Sequence, residues 1–227
     1  MSSSNIFIII PVYNEAAVIA QTIHNVLQTG HNVIVVDDGS TDGTPDIIRK
    51  FPVHCIFHPV NIGQGAALQT GMDFARMRNA SVVVHFDADG QHKPGDIEQL
   101  LAPVLSGECD VTVGSRFLQK DKTNIPLSRK IFLRMARYIN WLVTGILLSD
   151  AHNGLRALNQ RALETIYITE NRMAHASEIV WLIKKHGLRY KEVPVTIEYT
   201  AYSMQKGQSL WNSINIIFDI LFKKINR

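Results

Sequence analysis

Long apolar runs are missing from this sequence. No segment reaches the roughly 18 to 20 consecutive apolar residues that cross a bilayer. The longest candidates, Tyr138 to Leu148 and Leu210 to Phe222, are short, and Asp219 interrupts the second. Cysteine is scarce too. Cys55 and Cys109 stand far apart, without zinc-type spacing, so buried free thiols in a reducing compartment are expected. Neither sign of charge dominates: 23 Lys and Arg against 20 Asp and Glu give a formal +3, too little to call for a nucleic-acid partner. Ser2-Ser3-Ser4-Asn5 has no basic stretch or cleavable leader pattern, which predicts a cytoplasmic protein. Hydrophobic residues make up 46% and charged residues 19%, the balance of a globular core rather than a disordered chain.

The first half alternates strand and helix signals. Ile6 to Val12 is an apolar run ended by Tyr13-Asn14-Glu15, and Asn14 is positioned to cap a helix running to Thr29, before Gly30. Asn32 to Asp37 reads as the second strand. Thr44 follows the Asp38 to Gly43 loop as an N-cap, with Pro45 in the first helical position. Val53 to His58 is a third strand, and Gly63 and Gly65 open a helix to Met77. Val82 to Phe86 and Val111 to Gly114 are further strands, separated by a helix that starts near Asp96 and ends near Ser106. This alternation predicts an α/β fold, a mostly parallel central sheet with helices on both faces.

The second half is more helical. Ser128 is placed to cap a long helix from Arg129 to Leu148, with Lys130, Arg134 and Arg137 on one face. Lys191 to Thr200 reads as a strand and Leu210 to Asn226 as an amphipathic helix. That helix suits a bilayer interface, or packing against the sheet or a second subunit.

The chemistry concentrates in Val82 to Gln91. Three valines, His85 and Phe86 deliver Asp87 and Asp89, two residues apart, to a strand tip. Hard oxygen ligands so spaced suit a divalent cation that also holds phosphate, and open α/β sheets bind ligands at the C-terminal ends of their strands. The loop after the second strand holds Asp37, Asp38 and Asp42 among Gly, Ser and Thr. These are turn formers, but three carboxylates also suit base N–H groups and ribose hydroxyls, Asp38 foremost. Glu15 is within reach of a ribose. Gly63-Gln64-Gly65 lacks the third glycine of a dinucleotide fingerprint and reads as a close helix–sheet approach. The nine histidines are scattered, and only His92 adjoins the paired aspartates. Haloacid dehalogenase-type phosphatases also use two aspartates after a strand. Their motif closes the first strand, whereas this one closes the fourth.

Several stretches in one order carry a resemblance: Pro11-Val12-Tyr13-Asn14-Glu15, the Asp38 loop, Asp87-Ala88-Asp89-Gly90-Gln91, Gly114-Ser115-Arg116, Asp150 with Asn153-Gly154-Leu155-Arg156, and Glu192-Val193-Pro194-Val195. Together they resemble glycosyltransferase family 2, which has the GT-A fold, and within it the dolichol-phosphate mannosyltransferases and bacterial polyprenyl-phosphate glycosyltransferases. The likeness implies a GT-A catalytic domain over residues 1–200. It leaves 201–227 as a lid segment and C-terminal helix in the same domain or in membrane or partner contact. It further implies that Pro11, Tyr13, Glu15, Asp38 and Asp87 surround a nucleotide-sugar donor, GDP- or UDP-linked. Asp87, Asp89 and Gln91 would hold Mg2+ or Mn2+, and the anomeric centre would invert by direct displacement.

The acceptor is argued from basic residues. A phosphate monoester is largely dianionic at neutral pH, its second pKa being about 6, and needs no general base. Arg116, Arg129, Arg134 and Lys206 are candidates for gripping such a phosphate. A sugar hydroxyl would need a base instead, and Asp150 is the candidate. The expected reaction therefore moves a hexose to polyprenyl phosphate at the membrane face, with Asp89, Asp150 and Arg116 as catalytic candidates. Transfer to a sugar hydroxyl in surface-polysaccharide assembly is the alternative, and a non-catalytic nucleotide-sugar-binding scaffold is the alternative of another class. The Tyr199 to Ser209 stretch departs from the Arg-Gly-Ser-Lys-like ending of lipid-phosphate relatives, and the C-terminal membrane spans common among them are missing. A peripheral membrane contact and a homo-oligomer are both compatible with the chain.

Overall fold

The computed structural model describes residues 5–118, 137–138, 141–142, 144–150 and 153–198. Their strands form one sheet: β1 (Ile6–Val12), β2 (Asn32–Asp37), β3 (His54–Phe57), β4 (Val82–His85), β5 (Val111–Ser115), β6 (Arg156–Asn159) and β7 (Tyr190–Pro194), in the order β3-β2-β1-β4-β6-β5-β7. All neighbours pair parallel except β6, which runs antiparallel to both β4 and β5. The helices are α1 (Ile19–Leu27), α2 (Thr44–Ile48), α3 (Gln64–Met77), α4 (Asp96–Leu105), α5 (Gln160–Thr165) and α6 (His175–Lys185).

Alternation along the strands divides the core in two. Phe7, Ile9, Val83, Val113 and Leu158 face α3, α5 and α6. Ile8, Ile10, Val84 and Ala157 face α1, α2 and α4. Successive strand side chains point to opposite faces, so the continuous apolar run of β1 fills both. Each fully buried Ile contributes about 1.5–3 kcal/mol. The mostly parallel, doubly covered sheet agrees with the expected architecture.

The register sets the site. Ile9 pairs with His85 and Val12 with Asp37. β1 and β2 therefore end level with each other, and β4 ends beside β1 three residues earlier, opposite Ile9.

Several boundaries differ from the sequence reading. Asn14 does not cap α1: its φ is 51° and it sits in a turn, while the carbonyl of Glu15 accepts from Val18 and Ile19 N–H before the helix starts at Ile19. Asn tolerates this left-handed conformation better than most residues. Thr44 is the first residue of α2 rather than its cap. The helix carrying Trp141 stops at Thr144, not Leu148, because Gly145 turns left-handed with φ 74° and its N–H returns to the Trp141 carbonyl. β7 ends at Pro194; beyond it Val195 N–H still reaches the Ser115 carbonyl, and an isolated bridge joins Ile197 to His92. β6, an inner strand between β4 and β5, was not anticipated. Residues 199–227, with the lid and C-terminal helix read from sequence, lie outside the described residues.

Candidate active site

The loops after β1 and β2 are laced together. Asn14 N–H donates to Ser40 Oγ, and Thr41 N–H donates to Asn14 Oδ1, both at 2.8 Å. Glu15 N–H reaches Thr44 Oγ1 at 2.9 Å, and Asp42 accepts from Ala16 and Thr44 N–H. Ser40, Asp42 and Thr44 thus fix the turn that presents Tyr13, which is 44% exposed, and Glu15.

Asp38 is buried under its own network. Oδ1 meets His58 Nδ1 at 2.8 Å and Ile62 N–H at 3.1 Å. Oδ2 accepts from Asn61 Nδ2 at 2.9 Å and Gly63 N–H at 2.7 Å. Four partners occupy the roughly four lone-pair sites of a carboxylate, so this side chain ties the β3–α3 loop to the tip of β2. His58 is held from its far side by Thr70 Oγ1 at 2.9 Å. Asp37 accepts from Ser40 N–H, and its other oxygen is buried without a partner among the described residues.

Asp87 and Asp89 stand at the tip of β4. Gln64 Nε2 donates to Asp87 Oδ1 at 2.9 Å, and His92 Nε2 lies 3.0 Å from Oδ2. A Cβ on Gly154 would overlap Oδ2. Burial opposes charge on Asp87, but the His92 hydrogen bond and the positive surroundings hold its carboxyl below the usual range. Asp89 is pushed up to about 6, by burial first and then by the charge of Asp87. Glu15 adds to this effect, which places it near the pair. Behind Asp87 lie Arg156, His85 and His175, all buried. Burial and the charge of Arg156 push His85 to about 3 and His175 to about 4, so both rings are neutral at pH 7.

A third cluster lies at the tip of β5. Arg116 Nε donates to Asp150 Oδ2 at 2.6 Å, and the Arg116 backbone N–H donates to the same oxygen at 3.1 Å. Glu192 of β7 holds the loop before it, accepting from Ser149 N–H at 2.7 Å and Ser149 Oγ at 2.6 Å.

Residues 7–167 match the profile described as Glycosyl transferase family 2. The chain belongs to this family. It is 32% identical to the UDP-N-acetylglucosamine–dolichyl-phosphate N-acetylglucosaminyltransferase of Methanococcus voltae, over 100% of this chain and 99% of that one. It is 31% identical to the polyprenol monophosphomannose synthase of Mycolicibacterium smegmatis, over 83% and 76% respectively. In fold it is similar to glucosyl-3-phosphoglycerate synthase from Mycobacterium tuberculosis, with a TM-score of 0.71 at 17% identity, covering 96% of this chain and 78% of that one. The sheet and its flanking helices agree with the GT-A fold.

In this family member the predicted residues fall into two groups. Tyr13, Glu15, Asp38, Asp87, Asp89 and Gln91 gather at the neighbouring tips of β1, β2 and β4, with Pro11 buried inside β1. Arg116 and Asp150 meet at the tip of β5, while Arg129, Arg134 and Lys206 lie outside the described residues. Among the described residues no three His, Cys, Asp or Glu side chains converge as a metal cage. Two adjacent carboxylates, whose mutual repulsion a cation would relieve, still fit Mg2+ or Mn2+, because such ions are commonly held by one or two carboxylates plus substrate phosphate. Sequence reasoning missed Gln64, His58 and Arg156. His58 follows β3, Gln64 opens α3 after the same loop, and Arg156 begins the antiparallel β6 beside the end of β4; that position at the sheet's ligand-binding edge was the available signal. The glycines around Gln64 were misjudged as well. A Cβ on Gly65 would strike Glu170 O, so that approach is to the 170–171 loop; Gly71 is the glycine packed on the sheet, against Ile9.

Proposed function

We propose that the protein is an inverting, metal-dependent glycosyltransferase that moves a hexose from a nucleotide sugar to polyprenyl phosphate. The observation that carries this reading is the end-to-end likeness to a transferase named for UDP-N-acetylglucosamine and dolichyl phosphate. The second relative is named for a polyprenol phosphate product.

The local chemistry supports the reading. Tyr13 and Glu15 would line the nucleoside, and Asp38 would shape that pocket by fixing residues 61–63 rather than by touching the base. Asp87, Asp89 and Gln91 would hold Mg2+ or Mn2+ against the donor diphosphate. Such a cation supplies Lewis-acid stabilisation of the charge that develops on the leaving phosphate oxygen. Gln64 and His92 keep Asp87 turned toward that position. An acceptor phosphate oxygen would form its bond to the anomeric carbon as the carbon–oxygen bond to the diphosphate breaks, inverting that centre.

Asp150 favours a phosphate acceptor. Its Oδ2 already accepts twice from Arg116, which commits to a structural pair the residue that a hydroxyl acceptor would need as base. Arg116, held in a fixed direction, would meet the acceptor phosphate together with Arg129, Arg134 or Lys206. Slow Mn2+-dependent hydrolysis of the cognate nucleotide sugar by the parent, lost in Asp89→Ala, would support the donor site. Equal hydrolysis by both would refute it, and a folded parent that binds no nucleotide would favour a scaffold of another kind.

A further inference from the structure

Arg156 is 1% exposed, and its Nε, Nη1 and Nη2 have no hydrogen-bond partner among the described residues. An unpartnered buried guanidinium is costly, so its environment must offset the charge at a distance. It pairs in register with His85 across the β4–β6 ladder, two residues before Asp87. The same chain segment crosses directly against Asp87 at Gly154, where no Cβ fits. Its anionic neighbours are Asp87 and Asp150, and although burial pulls it down to about 10 it stays protonated at neutral pH. Asp150 already has Arg116 at 2.6 Å. The residual counter-charge for Arg156 is therefore Asp87.

We infer that Arg156 is a positioning residue of the donor site, a fixed positive charge behind Asp87 that disfavours a bare divalent cation and favours one arriving with a nucleoside diphosphate. The inference rests on the donor-site reading above. A cation alone feels Arg156 as repulsion, partly cancelling the attraction of Asp87. The cation complex of free UDP or GDP carries net negative charge, which Arg156 attracts; that of the nucleotide sugar is close to neutral, so the repulsion is removed. Metal and nucleotide would then bind as a coupled pair, and the metal-free carboxylates would stay ordered.

The test measures Mn2+ binding by electron paramagnetic resonance, and UDP and GDP binding by calorimetry with and without Mn2+. Arg156→Met removes the charge at similar volume. It should bind Mn2+ alone about tenfold more tightly and the nucleotide with Mn2+ about tenfold more weakly, as expected for one unit charge acting through protein. Arg156→Lys should restore both toward the parent. A purely structural role predicts that both affinities weaken together or that neither moves, and either result overturns the inference. If Arg156→Met does not fold by circular dichroism, Arg156→Gln takes its place: tighter Mn2+ alone with weaker nucleotide–Mn2+ supports the inference, and constants that weaken together or do not move overturn it. A parent protein that binds neither Mn2+ nor either nucleotide would instead remove the donor-site reading, and this inference with it.

Discussion

Arg116 Nε lies 2.6 Å from Asp150 Oδ2, with both side chains buried. The two residues are 34 positions apart and, from sequence, belong to rival acceptor chemistries. In the fold they are one unit. Removing one partner from a buried pair typically costs about 3–5 kcal/mol, because the other charge is left uncompensated. Arg116→Met and Asp150→Leu should each destabilise the protein by about that much, and the double variant by clearly less than their sum. Urea unfolding of the four proteins measures this, and additive losses would mean the pair is not energetically coupled.

Asp87 is aimed by its surroundings. Gly154→Ala forces its carboxylate to move, and a displacement near 1 Å can cost about 100-fold in rate. That loss is expected with little change in melting temperature. Gln64→Ala and His92→Ala, which each remove a hydrogen bond to Asp87, should cost about 10- to 100-fold in metal affinity. Manganese titrations check this; unchanged affinity in both would show that Asp87 needs no such support.

Asp89 predicts a conflict between binding and stability. Its carboxyl is raised to about 6, against about 3.9 in an unfolded chain. The stability it contributes is fully present below about pH 4 and is lost as pH rises through about 6. Without metal, Asp89→Asn should therefore melt higher than the parent at pH 7.5 and similarly near pH 4, while losing Mn2+ binding. A lower melting temperature at pH 7.5 would contradict the assignment.

Asp110 has the opposite sign. The Arg189 side chain beside it, helped by Arg189 N–H and Asn159, holds its carboxyl down to about 2 despite burial. Its stabilisation is present above about pH 4 and is lost as pH falls toward about 2. Asp110→Asn should lower stability at neutral pH and flatten the acid limb of the stability curve. An unchanged acid limb would assign acid unfolding to other groups.

Much of this was legible in the sequence. β1, β2 and β4 read clearly because both faces of a parallel strand are buried, which demands an unbroken apolar run. The Asp87–Asp89 spacing was legible for a similar reason, since the strand tip is local. β6 was not, because four residues beginning with Arg156 carry no period to read. The sequence ranked Asp38 first as a ligand, yet its partners His58, Asn61 and Gly63 come from another loop. Local reading identifies a carboxylate but not how many donors tertiary packing brings to it. Arg116 and Asp150 were separated for the same reason.

The central claim is transfer to a lipid phosphate. It is tested most directly by supplying UDP- and GDP-linked hexoses, UDP-N-acetylglucosamine among them, with Mn2+ and two acceptors: a short polyprenyl phosphate and a free sugar. Mass spectrometry of the products should show one donor giving an inverted glycosyl polyprenyl phosphate, absent with Asp89→Ala and strongly reduced with Arg116→Ala. Glycosylation of the sugar hydroxyl alone, with the polyprenyl phosphate untouched, would contradict it.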